Sequence, residues 1–194
     1  LLIEAPTGIG KTAAVLYPAL KALGKDKCDK LVFATAKTVG RRAAEETLEL
    51  FQNAGLRNTA LSMTAKEKIC LSPGSACHPQ DCPYAEGYYD KLPDALESAI
   101  HASAITRDAL QAIAKKHTVC PYELSLDLLP WVDVIIADLH YVYSLSAAIG
   151  SAMELERKRW TVLVDEAHNL PGRARDMYSA ELAKADLMAA RAQA

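Results

Sequence analysis

An α/β fold built on a parallel sheet is the expectation for this chain, and three observations carry it. Short apolar runs recur at Leu31 to Ala34, Val132 to Ala137 and Thr161 to Val164. Each is too apolar for a strand with one wet face, which is the pattern of strands buried on both sides. Helical stretches separate them, and strands alternating with helices imply parallel pairing through crossovers. With 194 residues, 51% of them hydrophobic, the chain can form one domain, or a domain with one sizeable insertion.

The elements follow in order. Leu1-Leu2-Ile3-Glu4 reads as a short buried strand without an initiator Met, an opening expected of a piece of a longer chain. It runs into a glycine-bearing turn, and Thr12 to Leu23 then forms a helix that Pro18 should kink or shorten and Gly24 should stop. After the Leu31 strand comes a helix from Val39 to Asn53, with Glu45, Glu46 and Glu49 on its wet side and Gly55 at its end. Between Met63 and Pro130 the character changes to four cysteines, several prolines and tyrosines, and helices near Lys91 to Ala102 and Arg107 to His117. This stretch reads as an insertion. The expected organisation is one domain begun at 1–63, an inserted unit at 64–130, a return to the first domain at 131–172, and a further helical unit begun at 173–194.

Composition narrows the function classes. A net charge of -2 and a pI near 6.2 carry no global excess of Lys and Arg, so any nucleic-acid contact must be local. The apolar runs are far shorter than the roughly 20 residues of a membrane span, and no basic-then-apolar leader is visible, which leads to the expectation of a soluble cytoplasmic protein. Five cysteines make an odd count, which argues against a disulfide framework and for a metal or cluster site. Cys28 stands apart as the spare.

Three motifs carry chemistry. Ala5-Pro6-Thr7-Gly8-Ile9-Gly10-Lys11-Thr12 lies between a strand pattern and a helix, the context of a phosphate-binding P-loop. Glycines let successive N–H groups face a phosphate, Lys11 reaches the terminal phosphates, and the Thr12 hydroxyl can ligate Mg²⁺. Ala5 stands where the full pattern has glycine. The second motif, Val162-Leu163-Val164-Asp165-Glu166-Ala167-His168, is a strand ending in two carboxylates. An Asp-Glu pair alone reads as a solvated helix start. Paired with a P-loop, Asp165 would hold Mg²⁺ through water, Glu166 would orient or deprotonate the attacking water, and His168 would couple nucleotide state to the rest of a motor.

The third is the series Cys70, Cys77, Cys82 and Cys120, spaced C-x6-C-x4-C-x37-C. Four thiolates suit Zn²⁺ or an iron-sulfur cluster, and the lack of a tight C-x2-C pair leans toward the cluster. Unligated buried cysteines are the plain alternative. His78 reads as solvent-facing. Tyr84, Tyr88 and Tyr89 could stack on bases, although core packing is the commoner use of such rings.

Together these residues resemble the iron-sulfur helicases of superfamily 2, the XPD and DinG-like family. Glu4 to Thr12 is similar to that family's nucleotide loop, where alanine in place of the first glycine is ordinary. Thr35-Ala36-Lys37-Thr38 stands where its first DNA-contacting motif falls. Cys120-Pro121-Tyr122-Glu123 resembles the segment of its fourth cluster ligand, and Asp165 to Leu170 its Asp-Glu-Ala-His box. The order of these segments also matches.

The resemblance implies a RecA-like P-loop domain interrupted by a small, mostly helical cluster domain, with an arch begun after the acidic box. It implies ATP, Mg²⁺ and a 4Fe-4S cluster as cofactors, and single-stranded and forked duplex DNA as partners. Pro6, Thr7, Gly8, Ile9, Gly10, Lys11 and Thr12 would bind nucleotide, and Thr35, Lys37, Thr38 and Arg41 the DNA backbone. Val39 departs from the family's Arg-Thr-His pattern and carries no role. The short first cysteine spacing implies a bacterial-type, nucleoid-associated relative. The second motor domain has no counterpart before Ala194, so the polypeptide alone is expected to hydrolyse ATP poorly and unwind nothing. Two other readings remain open here: a DNA-binding module with a vestigial P-loop, and a zinc-bearing P-loop ATPase that acts on something other than DNA.

Overall fold

The computed structural model describes residues 1–6, 8–181 and 183–193. Five parallel strands form its sheet: β1 (Lys30–Thr35), β2 (Ala60–Ser62), β3 (Ala104–Ile105), β4 (Val134–Asp138) and β5 (Trp160–Val164), in the order β3-β2-β4-β1-β5. The α-helices are α1 (Lys11–Leu23), α2 (Thr38–Asn53), α3 (Lys66–Ile69), α4 (Tyr88–Ile100), α5 (Arg107–His117), α6 (Pro121–Asp127), α7 (His140–Tyr143), α8 (Ala148–Leu155), α9 (Leu170–Tyr178) and α10 (Lys184–Gln193). Among the described residues no helix is long and apolar enough to cross a membrane.

Strand pleating divides the core in two, because alternate side chains leave a strand on opposite faces. Leu31 and Phe33 of β1, with Val134 and Ile136 of β4, pack against Leu16, Leu20, Ala44 and Leu48 of α1 and α2. Val32, Ala34, Ile135 and Ala137 face the other way, toward Ala95, Ala99, Leu110, Ala114 and Leu124 of α4, α5 and α6. The central strands β1 and β4 are therefore covered on both faces, and their continuous apolar runs are what that burial demands, while β5, at the sheet edge, is only half-buried along its length, less than its apolar run implied.

Several expectations are revised. Leu1-Leu2-Ile3-Glu4 forms no strand and all four residues are exposed. An apolar run becomes a strand only where a neighbour supplies its ladder, and the free edge of β5 makes no pairing with it. Pro18 neither ends nor shortens α1, which runs from Lys11 to Leu23. The bond that Pro18 removes is to the carbonyl of Ala14 on the exposed side of the helix, where water can replace it. Gly24 does stop α1, its N–H donating to the Leu20 carbonyl at 3.0 Å. Two strands were not foreseen: β2, three residues long, and β3, two. β3 lies inside the cysteine-bearing segment and pairs in parallel with β2, so that segment supplies an edge of the sheet as well as one helical layer.

At the N-terminal edge of the sheet, Arg159 grips Asp29 through Nη2 (2.7 Å), Nε (3.1 Å) and its backbone N–H (2.7 Å), tying the entry of β1 to that of β5. These bonds hold the Asp29 carboxyl down to about 2, against an ordinary 3.8. A carboxylate with a depressed native pKa lends stability that is complete above its unfolded pKa and lost as pH falls through the native one. The urea midpoint of the parent chain should exceed that of Asp29→Asn above about pH 4, the gap closing toward pH 2; a gap independent of pH would contradict this.

Candidate nucleotide and nucleic-acid site

Parallel strands bring their C-terminal ends to one edge, and three of the marked segments meet there. The loop before α1 curls through Gly8 (φ 83°) and Gly10 (φ 79°), both in the left-handed region that glycine enters without strain. Gly10 is the N-cap of α1, and the N–H of Ala14 returns to its carbonyl at 3.0 Å. Pro6, Gly8 and Ile9 are exposed on this loop, while Thr12 is half-buried in the first turn of α1. Thr7 lies outside the described residues.

Lys11 Nζ donates to the Ala5 carbonyl at 3.1 Å and stands 4.0 Å from Glu166 Oε1, across the edge of the sheet. The backbone of Glu166 is left-handed (φ 51°), a conformation costing a non-glycine residue on the order of 1 kcal/mol. That turn follows directly on β5, whose ladder is prolonged by the Asp165 N–H donating to Ala34 at 2.8 Å. His168 Nε2 lies 3.4 Å from Glu166 Oε2, and Asn169 Nδ2 donates to the Glu166 carbonyl at 3.1 Å. The edge thus gathers Lys11, Asp165, Glu166 and His168 from the two ends of the sequence.

Thr35 is tied to the acids through its hydroxyl. It is 3% exposed, and its hydroxyl donates to Asp165 Oδ2 at 3.1 Å. Gly40, in the first turn of α2, makes room for this bond: a Cβ there would lie 2.3 Å from Thr35 Oγ1 and 2.5 Å from Asp165 Oδ2. The sequence reading passed over Gly40, although a glycine in the first turn of a helical pattern is the signal of close approach. Thr35, Lys37, Thr38 and Arg41 all line one cavity of about 380 Å³.

The cysteines sit at the far end of the helical layer. Cys70 ends α3 and Cys120 caps the start of α6. Lys66 of α3 is held charged chiefly by its hydrogen bond to Cys77, is close enough to Cys120 to interact with it electrostatically, and lies over the Tyr122 ring at 5.6 Å. Burial pushes the Cys120 thiol up. Cys82 is buried in the turn leading to α4, while Cys77 and His78 are exposed. Among the described residues no three His, Cys, Asp or Glu side chains are close enough to hold one metal ion. A single zinc draws thiolates to about 2.3 Å from itself. Tyr88 is a core residue whose hydroxyl donates to Asp127 at 2.7 Å; Tyr84 is half-buried and Tyr89 exposed.

The family profile DEAD_2 matches residues 52–187, well over half of the chain, and a DEAD/DEAH box helicase profile matches residues 1–72. This chain belongs to the DEAD_2 family of XPD-like helicases. It is 31% identical over 133 residues to the Fanconi anemia group J protein homolog of Gallus gallus, covering 67% of this chain and 10% of that protein. With the general transcription and DNA repair factor IIH helicase subunit XPD of Arabidopsis thaliana it shares 23% identity, over 87% of this chain and 26% of the relative. A solved XPD helicase structure superposes with a TM-score of 0.54 at 21% identity, covering 86% of this chain and 29% of that one, a likeness of fold. The chain therefore spans about a tenth to a quarter of the length of these curated relatives.

Substituting Gly40 by Ala should cost about 1–3 kcal/mol in urea unfolding, since the added methyl must displace the Thr35–Asp165 bond. Gly172→Ala, where nothing stands within 4 Å of the new Cβ, is the control and should leave the midpoint almost unchanged.

Proposed function

We propose that this chain is the nucleotide-binding front of an ATP-dependent DNA helicase that moves 5′ to 3′ on single-stranded DNA and opens forked duplexes. The observation that carries the reading is the 4.0 Å approach of Lys11 to Glu166, from opposite ends of the sequence, beside a loop that turns through two left-handed glycines. An ammonium, a hydroxyl and two carboxylates at the mouth of a glycine-bearing loop are the set that a magnesium triphosphate requires. Membership of a helicase family and the helicase names of the relatives support it.

In this reading Gly8, Gly10 and the first turn of α1 surround the phosphates, with Pro6, Thr7 and Ile9 completing the loop. Lys11 neutralises charge on the terminal phosphates. Thr12 and Asp165 hold Mg²⁺, which would screen the phosphate oxygens. Glu166 orients the attacking water and accepts its proton, while His168, beside Glu166, reports the state of the site to the rest of the motor. Thr35, Lys37, Thr38 and Arg41 hold the DNA backbone, which positions a strand without reading its sequence.

Cys70, Cys77, Cys82 and Cys120 would hold a 4Fe-4S cluster, which cross-links the cysteine-bearing segment when bound. The chemistry of the donors fits: four thiols, two of them at the ends of short helices and two in the loop between, with the Lys66 ammonium beside Cys77 to offset the negative charge of thiolate ligands. Residues 64–130 would form the cluster unit, set within a motor domain made of 1–63 and 131–172, and 173–194 would begin an arch.

Two measurements test this reading. Lys11→Ala should weaken MgATP binding tenfold or more, about 1.4 kcal/mol, by fluorescence titration; equal affinity would mean a vestigial loop. Chain purified without oxygen should be brown with acid-labile sulfide, and Cys82→Ser should lose both; a colourless protein holding stoichiometric zinc would refute the cluster.

A further inference from the structure

We infer that Lys68 and Arg173, to which no role has been given, complete a phosphate-binding site for single-stranded DNA in the cavity beside Lys37. The inference rests on the DNA-motor reading and adds to it a second wall. The cavity opens at the C-terminal ends of β1 and β4. Lys37 and Arg41 reach it from the start of α2, Lys68 from α3, and Arg173 from α9 after the acidic box.

Charge makes the case. Four cationic side chains line one cavity in a protein whose net charge is -2, so the nucleic-acid contact that composition does not reveal has a local seat. The one carboxylate lining it, Asp138, is already engaged: Oδ1 accepts the His140 backbone N–H at 3.0 Å and lies 2.8 Å from His140 Nδ1. Neither Lys68 nor Arg173 forms an ion pair among the described residues, so both charges remain available.

Geometry agrees with charge. Helix α2 is 16 residues long, opens on the cavity at Thr38, and has no side-chain cap on its first turn. Its free N–H groups and dipole favour an anion there. Arg173 Nη2 donates to the Ala36 carbonyl at 3.2 Å, which sets the guanidinium against the loop that carries Lys37. Ala36, Ala65 and Ala137 line the cavity between these cations, small side chains that leave room for a sugar-phosphate backbone. Cations so placed grip that backbone regardless of sequence.

The test is the salt dependence of binding of this chain to a fluorescein-labelled oligothymidylate, followed by anisotropy. Single-strand binding loses about 0.7 in the slope of log K against log salt for each phosphate contact removed. Lys68→Ala and Arg173→Ala should each weaken binding several-fold and reduce the slope by about 0.7, and the double variant by about 1.4. Arg173→Lys should keep the slope, and Lys25→Ala, far from the cavity, should behave as the parent.

If Lys37→Ala weakens binding while the Lys68 and Arg173 variants keep parental affinity and slope, the inference is overturned and the DNA-motor reading stands. Weaker binding at an unchanged slope would assign the two residues a structural role and overturn it equally. A parent chain with no salt-dependent binding would sink the reading itself.

Discussion

The parallel pairing of β1 with β5 is the constraint on which the rest depends. It sets Ala34 beside Val164, so that the next residue on each strand, Thr35 and Asp165, can share a hydrogen bond across 130 residues of sequence. Without that register the Asp165 carboxylate has no fixed neighbour, and Glu166 cannot turn back toward Lys11. The left-handed backbone at Glu166 and the bare Cα of Gly40 serve the same juxtaposition: one aims a carboxylate at the glycine loop, the other clears space for a buried hydroxyl–carboxylate contact. Both are local concessions that the surrounding packing must offset.

The cysteine-bearing segment is bound into this arrangement. Ile69, Ala95, Ala99, Ile105, Leu110, Ala114 and Leu124 share one buried cluster with Val32, Leu61 and Ile135 of the sheet. Helix α3, a single turn, joins two regions of different chemistry. Its Lys66 faces Cys77 and Tyr122, its Lys68 the cationic cavity, and its Ile69 is fully buried as the anchor between them. So short a helix has little stability of its own, and packing holds it in place. Whatever binds the thiols therefore bears on where Lys68 stands.

Much of the fold was legible because burial writes itself into composition. The runs around Leu31 and Val134 are apolar on both faces, and a strand covered on both sides must be, whereas the equally apolar run at Thr161 is an edge strand that is only half-buried. Helix α2 announced itself through the polar face of Glu45, Glu46 and Glu49 and the stop at Gly55. β2 and β3 were not legible: three and two residues are too short for any period to show, and they are strands only because β4 supplies a ladder to β2 and β2 in turn supplies one to β3. Leu1 to Glu4 failed for the converse reason, an apolar run without a ladder. In the site, motifs marked Lys11, Asp165 and Glu166 because their chemistry demands those letters in those places. Thr35 stands beside Lys37 both in sequence and in the lining of the cavity; only the sheet shows that its hydroxyl also bonds to Asp165 after β5. Lys68 and Arg173 leave no trace in the sequence, since they come together solely through the packing of α3 and α9 on opposite sides of one opening.

The two edges of the sheet are built for opposite purposes. At the N-terminal edge polar groups are consumed by one another. Lys30, 3% exposed, donates to the carbonyls of Leu129 and of Val132 (2.8 Å) and lies 5.6 Å from the centre of the Trp160 ring. Asp29 is gripped by Arg159, and Asp133 accepts the Thr59 N–H at 2.8 Å. Burial holds the Lys30 ammonium down to about 8, so the cost of enclosing its charge is complete below that pH and relieved as pH rises toward 10.5. A lysine kept charged at such a cost is retained because the carbonyls it meets would otherwise be buried without donors. At the C-terminal edge the economy reverses: Lys37, Lys68 and Arg173 keep charges that no neighbouring carboxylate takes up, and Glu166 holds a strained backbone. A sheet closed at one edge and left electrostatically incomplete at the other concentrates ligand binding on the incomplete edge, which is where both the nucleotide loop and the cationic cavity lie.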